Sequence, residues 1–238
     1  MPVRGGAEGL AGKRPPGPTG PPGAVRISGK RTTYTSSVKE KTTMAEEKTV
    51  TNMAMRSAYE TVGEIMGHNA RDMVFKKVGL SRILESPPEW NWDKEFTNKE
   101  QIGIYHQTID IVGAVGAQGI LRLIGYKAIE IPLITYKILD HLKELPKEEW
   151  VVKAYETLKM AINRGAVIPQ AGTPPKFDVA DCLICAGATS TKPYCSNYAG
   201  SLQFIADWVY GKGVYQIRET KCKALGDDTC LFEAEAKG

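Results

Sequence analysis

Residues 214–233 read Val214-Tyr215-Gln216-Ile217-Arg218-Glu219-Thr220-Lys221-Cys222-Lys223-Ala224-Leu225-Gly226-Asp227-Asp228-Thr229-Cys230-Leu231-Phe232-Glu233. From Val214 to Glu219 apolar and polar side chains alternate, with Tyr215 and Ile217 on one side. That period of two predicts a half-buried strand. Leu225-Gly226-Asp227-Asp228 is turn chemistry, because Gly enters positive φ freely and Asp bonds its own backbone. Cys230-Leu231-Phe232 begins a second strand. The hairpin so formed draws Glu219, Cys222 and Cys230 to one end of the pair. A carboxylate and two thiolates gathered by a hairpin form a metal-site pattern. Cys195, just ahead of a helical stretch over residues 198–210, offers a fourth ligand.

Working outward, Leu202, Ile205, Trp208 and Val209 give that last helix its inward face. Before it, Phe177 to Ala186 reads as a strand, and Ala171-Gly172-Thr173-Pro174-Pro175 as a turn. A helix is predicted over Glu148 to Asn163, closed by Arg164-Gly165, and a shorter one over Leu133 to Leu145. Thr97 with Glu100 three residues on is a capping box. The helix it opens is expected to run to about Ile124 and to stop at Gly125. Its middle carries Gly113, Gly116 and Gly119, each costing about 0.5–1 kcal/mol relative to Ala. Close packing of another backbone, a subunit partner's included, would offset that cost. So would room for a ligand. Asn52 to Leu80 is helical with a break near Gly67-His68-Asn69, and Gly79 is its C-cap. Glu85 to Glu95 is a loop carrying Trp90 and Trp92.

Residues 1–43 are rich in Gly and Pro and carry a net +6, whereas the rest of the chain carries −2. This first stretch reads as a disordered basic tail. Met44 looks like a natural start, so residues 44–238 are expected to form the single folded domain. The body is not basic, and no nucleic-acid binding is expected of it. The longest apolar stretch, Ile109 to Leu123, contains Asp110, Gln118 and Arg122. It is too short and too polar to span a bilayer, and no membrane association is expected. All five cysteines lie between Cys182 and Cys230, and no apolar signal-peptide core precedes them in this sequence. The expected compartment is a reducing cytoplasm, where clustered thiols read as metal ligands rather than disulfides. No Ser-His-Asp set, phosphate loop or dinucleotide fingerprint is visible, and no catalytic residue is assigned.

Cys195, the small-residue helix start Tyr198-Ala199-Gly200, and Glu219-x-x-Cys222-x-Ala224-x-Gly226-Asp227-x-x-Cys230-x-Phe232 together resemble the 4-vinyl reductase domain family. The close match spans Cys195 to Phe232, and a vaguer one reaches back to about Ala58. The resemblance implies an α+β ligand-binding fold, helices packed on a small antiparallel sheet, of the nitric oxide signalling/Golgi transport superfamily. It implies binding of a small hydrophobic molecule by a sensor or carrier domain: aromatic effectors in phenol-responsive activators, a tetrapyrrole in bacteriochlorophyll synthesis. Two other functions stay open: a component of a 4-vinyl reductase step, decided by reductase activity of the isolated protein, and a structural assembly subunit. A homodimer through the N-terminal helices is expected from the family habit and the small-residue face around Gly116.

The cofactor expected is Zn²⁺ held by Cys195, Glu219, Cys222 and Cys230, because thiolates are soft and one carboxylate oxygen completes a tetrahedron. Lys192, Lys221, Lys223 and backbone N–H groups are expected to balance its charge. The alternative is that the cysteines are ordinary small buried residues. Cys182 and Cys185 lie three apart, which in a strand puts them on opposite faces. Three readings stay open for this pair: incidental buried thiols, a contribution to the metal cluster, or a redox couple. The ligand pocket is expected between the Gly-rich helix and the sheet, lined by Trp90, Tyr105, His106, Ile109 and Trp208.

Overall fold

The computed structural model describes residues 47–135, 137, 139–162, 165–170 and 173–237. The basic tail over residues 1–43, the expected helix end at Asn163 and Arg164, and the first two residues of the turn over residues 171–175 lie outside them.

A short strand, β1 (Lys48–Thr51), leads directly into α1 (Asn52–Met66). Thr51 is the N-cap, its hydroxyl accepting from Ala54 N at 3.2 Å. Gly67, at φ 85°, breaks the helix where expected, and α2 (His68–Val78) follows. Gly79 closes α2 in the left-handed region, and the short α3 (Ser81–Glu85) comes next. The loop carrying Trp90 and Trp92 returns through β2 (Lys94–Thr97), which pairs antiparallel with β1. The predicted capping box is present: Thr97 Oγ1 accepts from Glu100 N, and Glu100 Oε2 accepts from Thr97 N, opening α4.

Two boundaries differ from expectation. α4 (Asn98–Val112) ends at Gly113, φ 78°, and α5 (Ala114–Thr135) then runs without a stop through Gly125 and Pro132. The predicted single helix to Ile124 is therefore two helices, and the predicted helix over 133–145 is the end of α5 plus a 3₁₀ turn, Asp140–Glu144. Gly125 is not a terminator but a crossing point. A Cβ there would stand 1.9 Å from Asn197 O on α7 (Ser196–Tyr210), and one at Gly200 would stand 2.0 Å from Arg122 O. Each helix thus lacks a side chain where the other backbone approaches, and Ser201 Oγ crosses the seam to Gly125 O at 3.1 Å.

α6 (Lys147–Ile162) packs Val151, Ala154, Tyr155 and Leu158 inward. A four-stranded antiparallel sheet completes the domain: β3 (Ala166–Ile168), β4 (Lys176–Val179), β5 (Tyr215–Lys221) and β6 (Cys230–Ala236), in the order β3-β4-β6-β5. The predicted hairpin is β5–β6, with a register shift between Glu219 and Lys221. Its outer strand is covered by α7: Gln203 accepts from Ile217 N and donates to Tyr215 O. A side-chain amide here supplies the donor and acceptor that an edge strand otherwise leaves unpaired. No helix among the described residues is long and apolar enough to cross a membrane.

Candidate metal centre and adjoining cavity

The four ligands predicted from spacing come together at one end of the sheet. The ligand atoms of Cys195, Glu219, Cys222 and Cys230 all lie within 4.8 Å of one another. Three elements position them. Cys195 is the residue ahead of α7, Glu219 sits at the shifted end of β5, and Cys230 starts β6. Cys222 is held by its own loop: its N–H donates to Asp227 Oδ2 at 2.7 Å, and its carbonyl accepts from Leu225 and Asp227. The turn signal read at Leu225–Asp228 is thus what shapes the thiol's loop. The three cysteines have no exposed surface.

Glu219 shows how the centre is prepared. Its Oε2 accepts from Cys195 N at 2.8 Å, while Oε1 is buried with no partner among the described residues. A buried carboxylate oxygen without a donor costs free energy unless a cation meets it. Burial raises the Glu219 carboxyl to about 9, and the neighbouring Cys222 adds to the shift. Cys222 is lowered to about 5, chiefly by a hydrogen bond from the Cys195 thiol. Cys195 itself is raised, first by Cys182. Without a cation, then, the site holds protons that an ion would displace. The residues fit a closed zinc site: Cys195 Sγ and Cys230 Sγ stand 3.8 Å apart. A tetrahedron with Zn–S bonds of about 2.3 Å has edges of about 3.8 Å.

Of the lysines expected to balance the charge, Lys223 points its ammonium at Ala180 O and Lys221 points at Asp228. Of the backbone donors expected beside them, Lys223 N–H reaches the centre, donating to Cys230 Sγ at 3.4 Å.

The second cysteine pair is also here, for a reason the period-two argument could not supply. β4 stops at Val179, opposite Cys230 on β6, and the chain turns instead of extending to Ala186. Hydrogen bonds from Ala186 N to Leu183 O and from Ala188 N to Cys185 O hold the turn, with Gly187 at φ 74°. Cys182 and Cys185 therefore face the same centre. Cys182, Cys185, Cys195 and Cys230, all buried free thiols, lie close enough together to bind a metal ion.

The five residues expected to line one pocket are dispersed. Trp208 stacks on Trp150 at 5.5 Å, and Trp90 lies under the Arg56 guanidinium at 5.6 Å. Ile109 borders a cavity with Gln118 and Tyr194. His106 acts as a strut: its Nε2 donates to Ile184 O at 2.7 Å, tying α4 to the cysteine turn. Tyr105 does line an interior cavity of about 70 Å³, with Ser57, Ile129, Leu158, Ile184 and Asn197. Burial pushes its phenol up to about 12, so it stays neutral. A second cavity of about 70 Å³ shares Ala54, Ser57, Ala128, Ile129 and Leu158 with the first and is bordered by Trp92 and Ile205. Ser57 Oγ and Asn197 Nδ2 are buried without partners among the described residues. Sequence reasoning missed both, because a Ser and an Asn on helices carry no pattern that separates cavity from surface.

Helices around a small antiparallel sheet, with thiols and a carboxylate at one end of it, define an α+β fold. Residues 175–236, from just before β4 to the end of the hairpin, match the V4R domain. The whole described fold resembles that of H-NOX proteins. The structure of an H-NOX protein from S. oneidensis, in its Fe(II)NO ligation state, aligns with a TM-score of 0.51 at 12% identity, covering 79% of this chain and 100% of that one. An oxygen-binding H-NOX domain related to soluble guanylate cyclases aligns at 0.46 and 12% identity, covering 75% and 89%. No curated protein matches the sequence.

Proposed function

We propose that this protein is a metal-stabilised small-molecule-binding domain of the sensor or carrier type. Zn²⁺ is held by Cys195, Glu219, Cys222 and Cys230, and the ligand sits in the paired cavities among α1, α4, α5, α6 and α7. The observation that carries the ligand half is the pair of orphaned atoms, Ser57 Oγ and Asn197 Nδ2, on residues that line these cavities. Buried polar groups are satisfied in nearly all folded proteins. A small hydrophobic molecule with one hydroxyl or carbonyl would satisfy both atoms. The size of the two cavities supports a single-ring ligand over a tetrapyrrole: an apolar cavity of about 150 Å³ takes up benzene. The V4R match and the H-NOX-like fold support the same class.

The test is calorimetric titration with phenol and with toluene, which share a ring and differ in the polar group. Phenol is expected to bind roughly tenfold more tightly, the equivalent of one satisfied buried group at about 1.4 kcal/mol. Asn197→Leu is expected to erase the difference. Equal affinity for both in the unsubstituted protein would count against the reading. A homodimer belongs to the same proposal. Val115 and Leu123 are exposed on α5, one turn either side of Gly119, which has nothing within 4 Å of a Cβ position.

A further inference from the structure

Cys182 and Cys185 are not needed by the tetrad just proposed, yet they are buried against it, each about 2% exposed. Their sulfurs and those of Cys195 and Cys230 lie within 4.8 Å of one another, and so do the ligand atoms of Cys195, Glu219, Cys222 and Cys230. The two sets share one edge, Cys195–Cys230, 3.8 Å long. The extra thiols are spread along it: Cys182 touches Cys195 at 3.4 Å, and Cys185 touches Cys230 at 3.4 Å. Two tetrahedra sharing an edge are what two ions bridged by two thiolates require.

We propose that the protein holds a two-ion thiolate cluster. Cys195 and Cys230 bridge, Glu219 and Cys222 complete the coordination of one ion, and Cys182 and Cys185 complete that of the other. The ions are divalent, thiophilic and tolerant of tetrahedral sulfur, which zinc satisfies. The assignment rests on the tetrad of the preceding section and adds a second ion to it.

Charge argues for two ions. Five thiolates and one carboxylate bring six negative charges to a buried place. One divalent ion leaves four of them unless extra thiols stay protonated, whereas two ions leave two. The nearby ammonium groups of Lys221 and Lys223 are directed to Asp228 and Ala180 O. Burying uncompensated charge is costly, so a second cation is the stabilising partner on hand. The geometry is prepared as well. His106 and two backbone hydrogen bonds fix the turn, so both thiols face the shared edge before any ion arrives. Uptake changes no oxidation state. Each ligand proton displaced goes to the buffer, and no S–S bond forms.

The experiment uses the full chain, stripped with a chelator under reducing conditions and reloaded with the NMR-active isotope of cadmium. Two cadmium ions per chain are expected, giving two resonances split by coupling through the shared sulfurs. One ion per chain, or two resonances without coupling, overturns the proposal. The double variant Cys182→Ser/Cys185→Ser is expected to halve the metal-to-chain ratio. A single ion in both unsubstituted protein and double variant, lost in Cys222→Ser, overturns the second ion and leaves the first tetrad standing. A single ion lost in the double variant but kept in Cys222→Ser overturns both assignments. Should the double variant fail to fold, the cadmium spectrum of the unsubstituted protein decides alone.

Discussion

Glu219 divides its two oxygens between the backbone and the thiols, and its substitution has consequences of opposite sign with and without metal. Loaded with zinc, Glu219→Gln is expected to bind the ion less tightly, because a neutral amide oxygen still reaches the site but brings no charge. Cys222→Ser is expected to lose far more, and elemental analysis of both variants ranks them. Stripped of metal, the order of stability reverses. Burial raises the carboxyl from its usual 4.5 to about 9, so the folded state favours the neutral acid. A raised carboxyl lowers stability progressively as pH climbs through the window from about 4.5 to about 9. Metal-free Glu219→Gln lacks that loss, and urea unfolding is expected to find it more stable than the parent at pH 8, with no difference at pH 4. The convergence of residues 195, 219, 222 and 230 was legible because turn residues and a period-two strand fix their spacing. Cys182 and Cys185 were not, since the alternation rule holds only while the strand lasts, and nothing local marks its end at Val179. His106 was legible as a residue of interest but not as a strut, because its partner is a carbonyl 78 positions away.

At the level of elements, the helix interiors separate two kinds of glycine that look alike in sequence. Gly200 meets Arg122 O, a backbone atom that cannot yield, whereas Gly119 has nothing within 4 Å of a Cβ position. Gly200→Ala is therefore expected to destabilise by about 1–3 kcal/mol or more. Gly119→Ala is expected to stabilise by about 0.5–1 kcal/mol through helix propensity alone. Chemical denaturation of the pair checks both signs. The reading of Gly125 as a stop failed for the same reason, since composition cannot distinguish a glycine that ends a helix from one that admits a neighbour. Capping was legible, because a cap is a contact among residues three apart. Thr97→Ala removes the hydroxyl that accepts from Glu100 N at 3.1 Å and is expected to cost about 1 kcal/mol, with Thr97→Ser keeping most of it.

For the molecule as a whole, most of the helical segments and the C-terminal hairpin followed from periodicity, while β1, β2 and β3 did not. Each is three or four residues long, too short for alternation to register. Chelation is expected to loosen the sheet end and the start of α7 while α1 and α2 keep their protection, as hydrogen exchange would report. Light scattering at micromolar concentration is expected to find a dimer that Val115→Glu dissociates. One feature ties the two halves of the protein together. Cys195, just ahead of α7, faces the metal centre, the first turn and a half of α7 carries Asn197, Tyr198 and Ser201 on the wall of the cavity, and Ile184 reaches that wall from the cysteine turn. An ion and a ligand bound as proposed would bear on the same few residues. Their affinities would then be tied by an equal factor in both directions: whatever tightening the ligand gained from the ion, the ion would gain from the ligand.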